Sequence, residues 1–395
     1  PQGCGAPPAC EGDAPPRVLP VWRMPCPRAM ESRQFVDLQN DVTVADLRQA
    51  AAEGFRDIEH AKRYTTLGVG TDQGRTSGEL GAAILASFCG RPDAPPRSFR
   101  ARPPIQPATL NTICGVKQGL LLRPERRTAM HDWHVANGGV MEAAGLWMRP
   151  RYYRANGADP GAAGLAEAAR VRQDVGMVDA STLGKIEIAG PDAAEFLNRL
   201  YVNNWSNLAV GRCRYGILLR DDGFIYDDGV IARIAADRFH VTTTTGGAAR
   251  VLAWLERWLQ TEWPHLKVWL TTVTDHWATT ALAGPMSREV LKAVSQDVDF
   301  DDAAFPFMAY REGTVAGVRA RIMRISFSGE RAYEVNVPAD EGARVWAALH
   351  EAGRPYGITP YGTEAMHVLR AEKGYIIVGQ ETDGTITPGD LGMDW

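Results

Sequence analysis

Proline decides where this 395-residue chain can build a core. It crowds residues 1–34 (GAPPACEGDAPPRVLPVW) and returns between Pro92 and Pro124 (RPDAPPRSFRARPPIQPATL, then RPERR). Each proline fixes φ and removes a backbone donor, so neither stretch sustains a helix or a central strand. The first reads as a linker unable to bury a core of its own. The second, over 91–130, reads as an extended connector lying on a neighbouring surface. Two foldable segments remain, 35–90 and 131–395.

Segment 35–90 reads as a small helical unit. Thr43 caps a helix over VADLRQAAAE, with Asp46 at the third position and Gly54 past the end. A second helix fits around Ile58–Leu67, and Ser77 starts a third that stops at Gly90. From His131 onward the pattern is α+β. Lys185–Ile188 alternates as a strand, and Gly190-Pro191-Asp192 opens a helix with Phe196, Leu197, Leu200 and Tyr201 on one face. Phe224–Ile234 and Phe239–Thr245 read as one hairpin, and Val318–Phe327 and Ala332–Val337 as another. Val251, Leu252, Leu255, Trp258 and Leu259 mark an amphipathic helix, and further helices fit Val345–His350 and Thr363–Lys373.

The net charge of −4 gives no reason to expect nucleic acid or an anionic membrane as partner. No apolar run is long enough to cross a bilayer as a helix, and nothing at the start resembles a signal peptide. The six cysteines, Cys4, Cys10, Cys26, Cys89, Cys114 and Cys213, contain no CxxC and are too dispersed for a disulfide scaffold. Reduced thiols in a cytoplasmic protein are expected, with no metal site. Basic residues cluster at Arg123–Arg127 (RPERR) and Arg149–Arg154 (RPRYYR). A solvated linker is the expectation for both, against an anion or subunit contact. Pro1 and the Gly-rich run before Trp395 suggest a piece of a longer polypeptide.

Asp227-Asp228 lies within a strand, between Ile225-Tyr226 and Val230-Ile231. Adjacent strand residues point to opposite faces, so one carboxylate is expected at solvent and one inside. A buried carboxylate must be paired or hydrogen-bonded. By itself the pair reads more simply as a turn or bulge beside Gly229. Glu334, after Tyr333 and before Val335, reads by itself as a solvated outer-face residue, and Thr242–Thr245 as β-branched strand.

Three blocks change that weighting: VRQDVGMVDASTLGKIEIAGPDAAEFLNRLY with GRCRYGILLRDDGFIYDDGV, RISFSGERAYEV, and YGTEAMHVLRAEKGYIIVGQ. In this order they resemble the folate-binding aminomethyltransferase family, typified by the T-protein of glycine cleavage. The resemblance implies that Asp228, second of the DD pair, lies against the folate, as a base near N10 or as a stabiliser of positive charge on the transferred methylene. Residues 324–334 match R-x-x-[YF]-[ST]-G-E-x-x-[YF]-E, which brings Arg324 and Phe327 into the site. Its last Glu, here Glu334, would hold the pterin's amino and ring nitrogens, since a carboxylate meets two parallel N–H donors. Tyr215 would line the same pocket, with Thr244 at its border. Met366 stands where the T-protein has an arginine, which leaves that site one cation short. Arg370 remains.

Residues 36–77 resemble a small [2Fe-2S] domain of flavin amine dehydrogenases. Its four cysteine positions are here Asp37, Gln39, Asp72 and Ser77, so a cluster has no thiolate ligands. Such a degenerate domain followed by a folate domain resembles the alpha-subunit family of heterotetrameric sarcosine oxidase. That resemblance implies beta, gamma and delta subunit partners and an NAD-binding domain ahead of Pro1. It also implies FMN shared with the beta subunit, near Lys62, Arg63 and Arg75. The expected function is capture, on tetrahydrofolate, of the one-carbon unit released when sarcosine is oxidised. The expected fold is a helical domain (35–90) followed by an aminomethyltransferase-like domain (131–395) that lacks its C-terminal part. The alternatives are a dimethylglycine dehydrogenase- or T-protein-type folate enzyme, or a non-catalytic assembly scaffold.

Overall fold

In the computed structural model, which describes residues 20–95, 97, 99–116, 124–154 and 159–393, the chain forms two units dividing at 122/123. The expectations on Cys4 and Cys10 lie outside the described residues.

The first unit opens with a short ribbon, β1 (Phe35–Asp37) and β2 (Val42–Thr43). Three helices follow, α1 (Val44–Ala52), α2 (Ile58–Thr65) and α3 (Gly78–Phe88), then a short α4 (Leu110–Cys114). The local signals account for the ends. The Thr43 backbone N–H donates to Asp46 Oδ2 at 2.7 Å, and Gly54 takes a left-handed φ of +96°. Asp57 caps α2 by accepting from the Glu59 N–H at 2.9 Å. Leu47, Ala50, Ala61, Leu67 and Ile84 form the buried centre.

The described part of the expected linker does pack. Trp22 lies against this core, and Glu31 is only 2% exposed, bonded to Arg48 Nε at 2.5 Å. Composition missed this because one buried ion pair and one indole anchor the segment. From the expected connector, Phe99 inserts beside Gly68 and Gly74, where a Cβ on Gly68 would come within 1.8 Å of its ring.

The four residues at the cluster positions bond to their surroundings and to one another. Asp37 Oδ2 accepts from the Gly68 N–H at 2.6 Å and from Ser77 Oγ at 3.3 Å. Gln39 Oε1 accepts from the Asp72 N–H at 3.4 Å, and Asp72 Oδ2 from the Thr76 N–H at 3.1 Å. Among the described residues no group of three or more His, Cys, Asp or Glu could hold a metal ion.

The second unit begins before His131, since Met130 is fully buried in its core. α5 (His131–Ala136) leads into a hairpin of β3 (Gly139–Ala144) and β4 (Trp147–Tyr153), then α6 (Pro160–Gln173). The RPRYYR run is therefore strand rather than solvated linker. Two sheets follow. The first combines β5 (Gly176–Asp179) and later strands. The second starts with β6 (Gly184–Ala189), α7 (Ala193–Leu200), β7 (Cys213–Leu219), β8 (Ile225–Ala235), β9 (Arg238–Thr243), α8 (Ala248–Thr261) and β10 (Trp269–Thr272). The remaining elements are β11 (Trp277–Ala283), α9 (Ser287–Val294), β12 (Ala309–Val315), β13 (Val318–Arg324), β14 (Ala332–Pro338), α10 (Gly342–Gly353), β15 (Thr359–Pro360) and α11 (Thr363–Ala371).

The five-stranded sheet has the order β10-β6-β9-β8-β7, and the six-stranded sheet β12-β13-β14-β11-β5-β15. All pairings are antiparallel except β15 with β5. Alternation gives each sheet an outer apolar face. Ile186, Ile188, Phe239 and Val241 pack with α7 and α8, and Ile322, Val335 and Val337 with α10. The opposite faces meet, joined by Cys213, Ala232, Tyr310, Met323 and Ile325. Because both faces of each sheet are covered, an inward polar residue on β6, β8 or β14 lands between the sheets. Among the described residues no helix is long and apolar enough to cross a membrane.

Candidate functional site

A cavity of about 800 Å³ opens between the two sheets, with Tyr215, Asp228, Thr244, Phe327 and Glu334 among its walls. β7 and β8 carry Tyr215 (opposite Val230) and Asp228 (opposite Ile217) as diagonal neighbours, and the Tyr215 hydroxyl donates to Asp228 Oδ2 at 2.7 Å. Burial pushes the Asp228 carboxyl up to about 7 against the Tyr215 bond, with the Asp227 charge adding to the rise.

Asp227 is not at solvent as alternation suggested. It is 1% exposed, because the second face of β8 is covered as well. Its carboxylate accepts from the Thr244 N–H at 3.0 Å and from Thr244 Oγ1 at 2.9 Å. Gly247 passes so close that a Cβ would sit 1.8 Å from Asp227 Oδ2. Asp227 thus fastens the turn that brings Thr244 to the cavity wall.

Glu334 faces inward from β14 and has no hydrogen-bond partner among the described residues. Burial pushes its carboxyl up to about 7, opposed by the Lys185 ammonium. Lys185, 1% exposed, donates to the Ser181 and Leu183 carbonyls at 3.0 Å each. Burial lowers its pKa to about 8, against the pull of Glu334 and Asp179. Two carboxyls that change charge near neutrality in one cavity can exchange protons with a bound molecule. The bare Glu334 carboxylate can in addition accept two N–H groups.

Phe327 lies at the cavity wall, 39% exposed and stacked on Tyr375 with ring centroids 6.3 Å apart. Arg324 does not line the cavity. Its guanidinium is held by Asp302 at 2.7 Å and by the Phe305 carbonyl at 2.5 Å. Held by these two partners at the end of β13, it is a structural tie here. Arg370 is likewise engaged, by Tyr375, Gln380 and Glu381.

In the first unit, Lys62 is 5% exposed, donates to the Arg100 carbonyl at 3.0 Å and lies 4.4 Å from the Phe99 ring centroid. Its ammonium is used internally, and Arg63 and Arg75 are the exposed cations of the three.

Four residues in or beside the second unit's site escaped the sequence reading. Lys185 looked like one polar residue of an alternating strand. Asp179, on β5, lines the cavity and accepts from Thr128 Oγ1 at 2.6 Å. His134 Nε2 lies 3.1 Å from the same carboxylate. Arg149 was hidden in a basic run, which local sequence could not place.

The GCVT N-terminal domain family model matches residues 130–395, and the sarcosine oxidase A3 domain model matches residues 31–116. The sarcosine oxidase subunit alpha of Corynebacterium sp. (strain U-96) is 50% identical over 384 residues, covering 95% of this chain and 40% of that protein. The same subunit of Rhizobium meliloti (strain 1021) is 44% identical over 377 residues, covering 95% of this chain and 38% of the relative. The chain thus spans about 40% of the length of the sarcosine oxidase subunits it matches. The aminomethyltransferase of Chlorobium limicola is 30% identical over 270 residues, covering 68% of this chain and 71% of that protein. The crystal structure of glycine cleavage system aminomethyltransferase T from Bartonella henselae shares the fold, with a TM-score of 0.59 at 24% identity, covering 68% of each chain. The chain belongs to the GCVT family of aminomethyltransferase-like domains, carries a sarcosine oxidase A3 domain ahead of it, and is a homologue of sarcosine oxidase alpha subunits.

Proposed function

We propose that the cavity binds tetrahydrofolate and that the chain works as part of a sarcosine oxidase alpha subunit, capturing a one-carbon unit as 5,10-methylenetetrahydrofolate. The observation that carries this reading is the unpaired Glu334 carboxylate, facing the same cavity as a Tyr215-bonded Asp228. A buried carboxylate left without a partner is costly unless a ligand supplies one. The pterin edge, with adjacent amino and ring N–H groups, fits it.

The chemistry is a transfer without net oxidation. Sarcosine, oxidised at a flavin in another subunit, yields the N-methylene imine of glycine. Folate N5 adds to the imine carbon, its proton passing to the imine nitrogen, and the carbon–nitrogen bond to glycine breaks as protonated Asp228 gives that nitrogen a second proton, which N10 later restores. N10 then closes on the same carbon, and its proton passes to Asp228. The protons from N5 and N10 both end on the glycine amine, so imine and tetrahydrofolate give glycine and methylenetetrahydrofolate. Asp228 suits this step because a base works best with a pKa near the operating pH. Phe327 would flank the folate ring, and Thr244 would border it.

The beta, gamma and delta partners, the shared FMN and an NAD-binding domain belong to the same reading, as does a cytoplasmic location. FMN, when bound, supplies the electron acceptor for the amine. Arg63 and Arg75 are the exposed groups of the first unit suited to its phosphate. The domains are proposed as a helical unit built on 35–90 and a folate unit built on 131–395, each with the flanking residues that pack against it. The test is single-turnover formation of methylenetetrahydrofolate from sarcosine by the assembled enzyme. The Asp228→Asn, Glu334→Gln assembly should oxidise sarcosine and lose the folate product. Full product yield from it would refute the assignment.

A further inference from the structure

Arg149 stands in β4 directly across from Glu142, and its side chain lines the cavity that holds Asp228 and Glu334. Its neighbours on the hairpin are committed. Arg151 Nε lies 2.7 Å from Glu364 Oε1. Glu142 is taken by Thr363 and by Arg151 at 3.7 Å. Asp179, the other carboxylate close enough to act on Arg149, accepts from Thr128 at 2.6 Å, from the Ser181 N–H at 2.9 Å, and meets His134 at 3.1 Å.

The Arg149 guanidinium itself makes no ion pair among the described residues. Its hydrogen bond goes from Nη2 to the thioether sulfur of Met366, at 3.7 Å. Thioether sulfur is a weak acceptor, and a guanidinium keeps its charge in any protein environment. Burial pushes the Arg149 pKa down, the direction expected of a cation whose counter-charge is incomplete. Met366 stands on α11 and offers that guanidinium no charge. The guanidinium from β4 lies against that side chain and is the cation that this part of the cavity wall presents.

We infer that Arg149 is the anion-binding residue of this cavity and that its ligand is a carboxylate carried by a bound reactant. This rests on the folate reading, in which two reactants carry carboxylates: the glutamate tail of tetrahydrofolate and the glycine imine. The planar guanidinium can take either in a two-bond fork, where a lysine would offer a point charge.

The test is calorimetric titration of the protein and its Arg149→Met and Arg149→Lys variants with three probes. These are tetrahydrofolate, tetrahydropteroate (which lacks the glutamate) and glycine. Arg149→Met should weaken one carboxylate probe at least tenfold and leave tetrahydropteroate binding intact, with Arg149→Lys recovering part of the loss. Loss for tetrahydrofolate alone assigns the tail, and loss for glycine assigns the imine end. Equal weakening of tetrahydropteroate, or no change with either carboxylate, overturns the inference. A protein that binds neither folate contradicts the folate reading instead. Glycine then decides the role of Arg149: binding that Arg149→Met abolishes sustains it, and binding that is absent or unchanged overturns it.

Discussion

The Tyr215 hydroxyl donates to Asp228 Oδ2 over 2.7 Å, from the strand beside it, and so stabilises the ionised form of a carboxyl that burial holds at about 7. Removing that bond leaves the burial uncompensated. Tyr215→Phe should therefore raise the Asp228 pKa by roughly 1 unit, given that a hydrogen bond to a charged group contributes about 1.5–3 kcal/mol. The pH–rate profile of single-turnover methylene transfer should show its acidic limb moving upward. An unmoved limb with a lowered plateau would mean that Tyr215 only shapes the cavity.

Lys185 opposes the rise in the Glu334 pKa from inside the five-stranded sheet. Lys185→Met removes that cation, so the Glu334 carboxyl should hold its proton to a pH above 7. Tetrahydrofolate binding should then need a more alkaline solution. The shift of the binding midpoint with pH, in wild type against variant, checks this. Loss of affinity at every pH equally would point to collapse of the strand instead.

Both carboxyls have folded-state values near 7, above the ordinary carboxylate range. Their contribution to stability is full below the ordinary value of about 4 and is lost as pH rises through about 7. The unliganded protein should thus lose stability between those limits. The Asp228→Asn, Glu334→Gln protein should lack this slope and be more stable at pH 8, by about 1–3 kcal/mol. Denaturant melts at pH 5 and pH 8 measure the difference.

In the first unit, Asp37 draws the Gly68 N–H and Ser77 Oγ together where the resembled domain ligates a cluster. Asp37→Ala leaves a buried N–H unpaired and should destabilise this unit by about 2–3 kcal/mol. Ser77→Ala, which removes one longer bond, should cost about 1 kcal/mol or less. Thermal unfolding followed in this unit, with and without added iron and sulfide, separates a hydrogen-bonded clasp from a vacant metal site.

The sequence made much of this visible. Thr43 with Asp46, and Gly54, mark the ends of α1 through contacts only a few residues long, and such signals survive in one dimension. The inward set of Asp228, Glu334 and Tyr215 was legible only through the resemblance to the folate-binding family, while the local reading pointed the other way for Glu334. Period-two reasoning assumes one wet face, and here helices cover one face of each sheet and the partner sheet the other. That is why Asp227 is buried rather than solvated. Arg324 belongs to the same motif as Glu334 yet pairs with Asp302, a contact that spacing cannot reveal. Arg149 and Met366 are far apart in the chain, and their juxtaposition depends on how the β3–β4 hairpin meets α11. Lys62 looked available for a phosphate until Phe99 and the Arg100 carbonyl, from a segment read as connector, covered it.

The central claim is a folate pocket closed by an ionisable Glu334, and anaerobic calorimetry with tetrahydrofolate across pH 6 to 8 tests it most directly. The account predicts affinity that falls about tenfold per pH unit below about 7, since only the carboxylate accepts both pterin N–H groups. Glu334→Gln should bind far more weakly and show no such slope. Tight binding that ignores both pH and Glu334→Gln, or no binding at any pH, would contradict it.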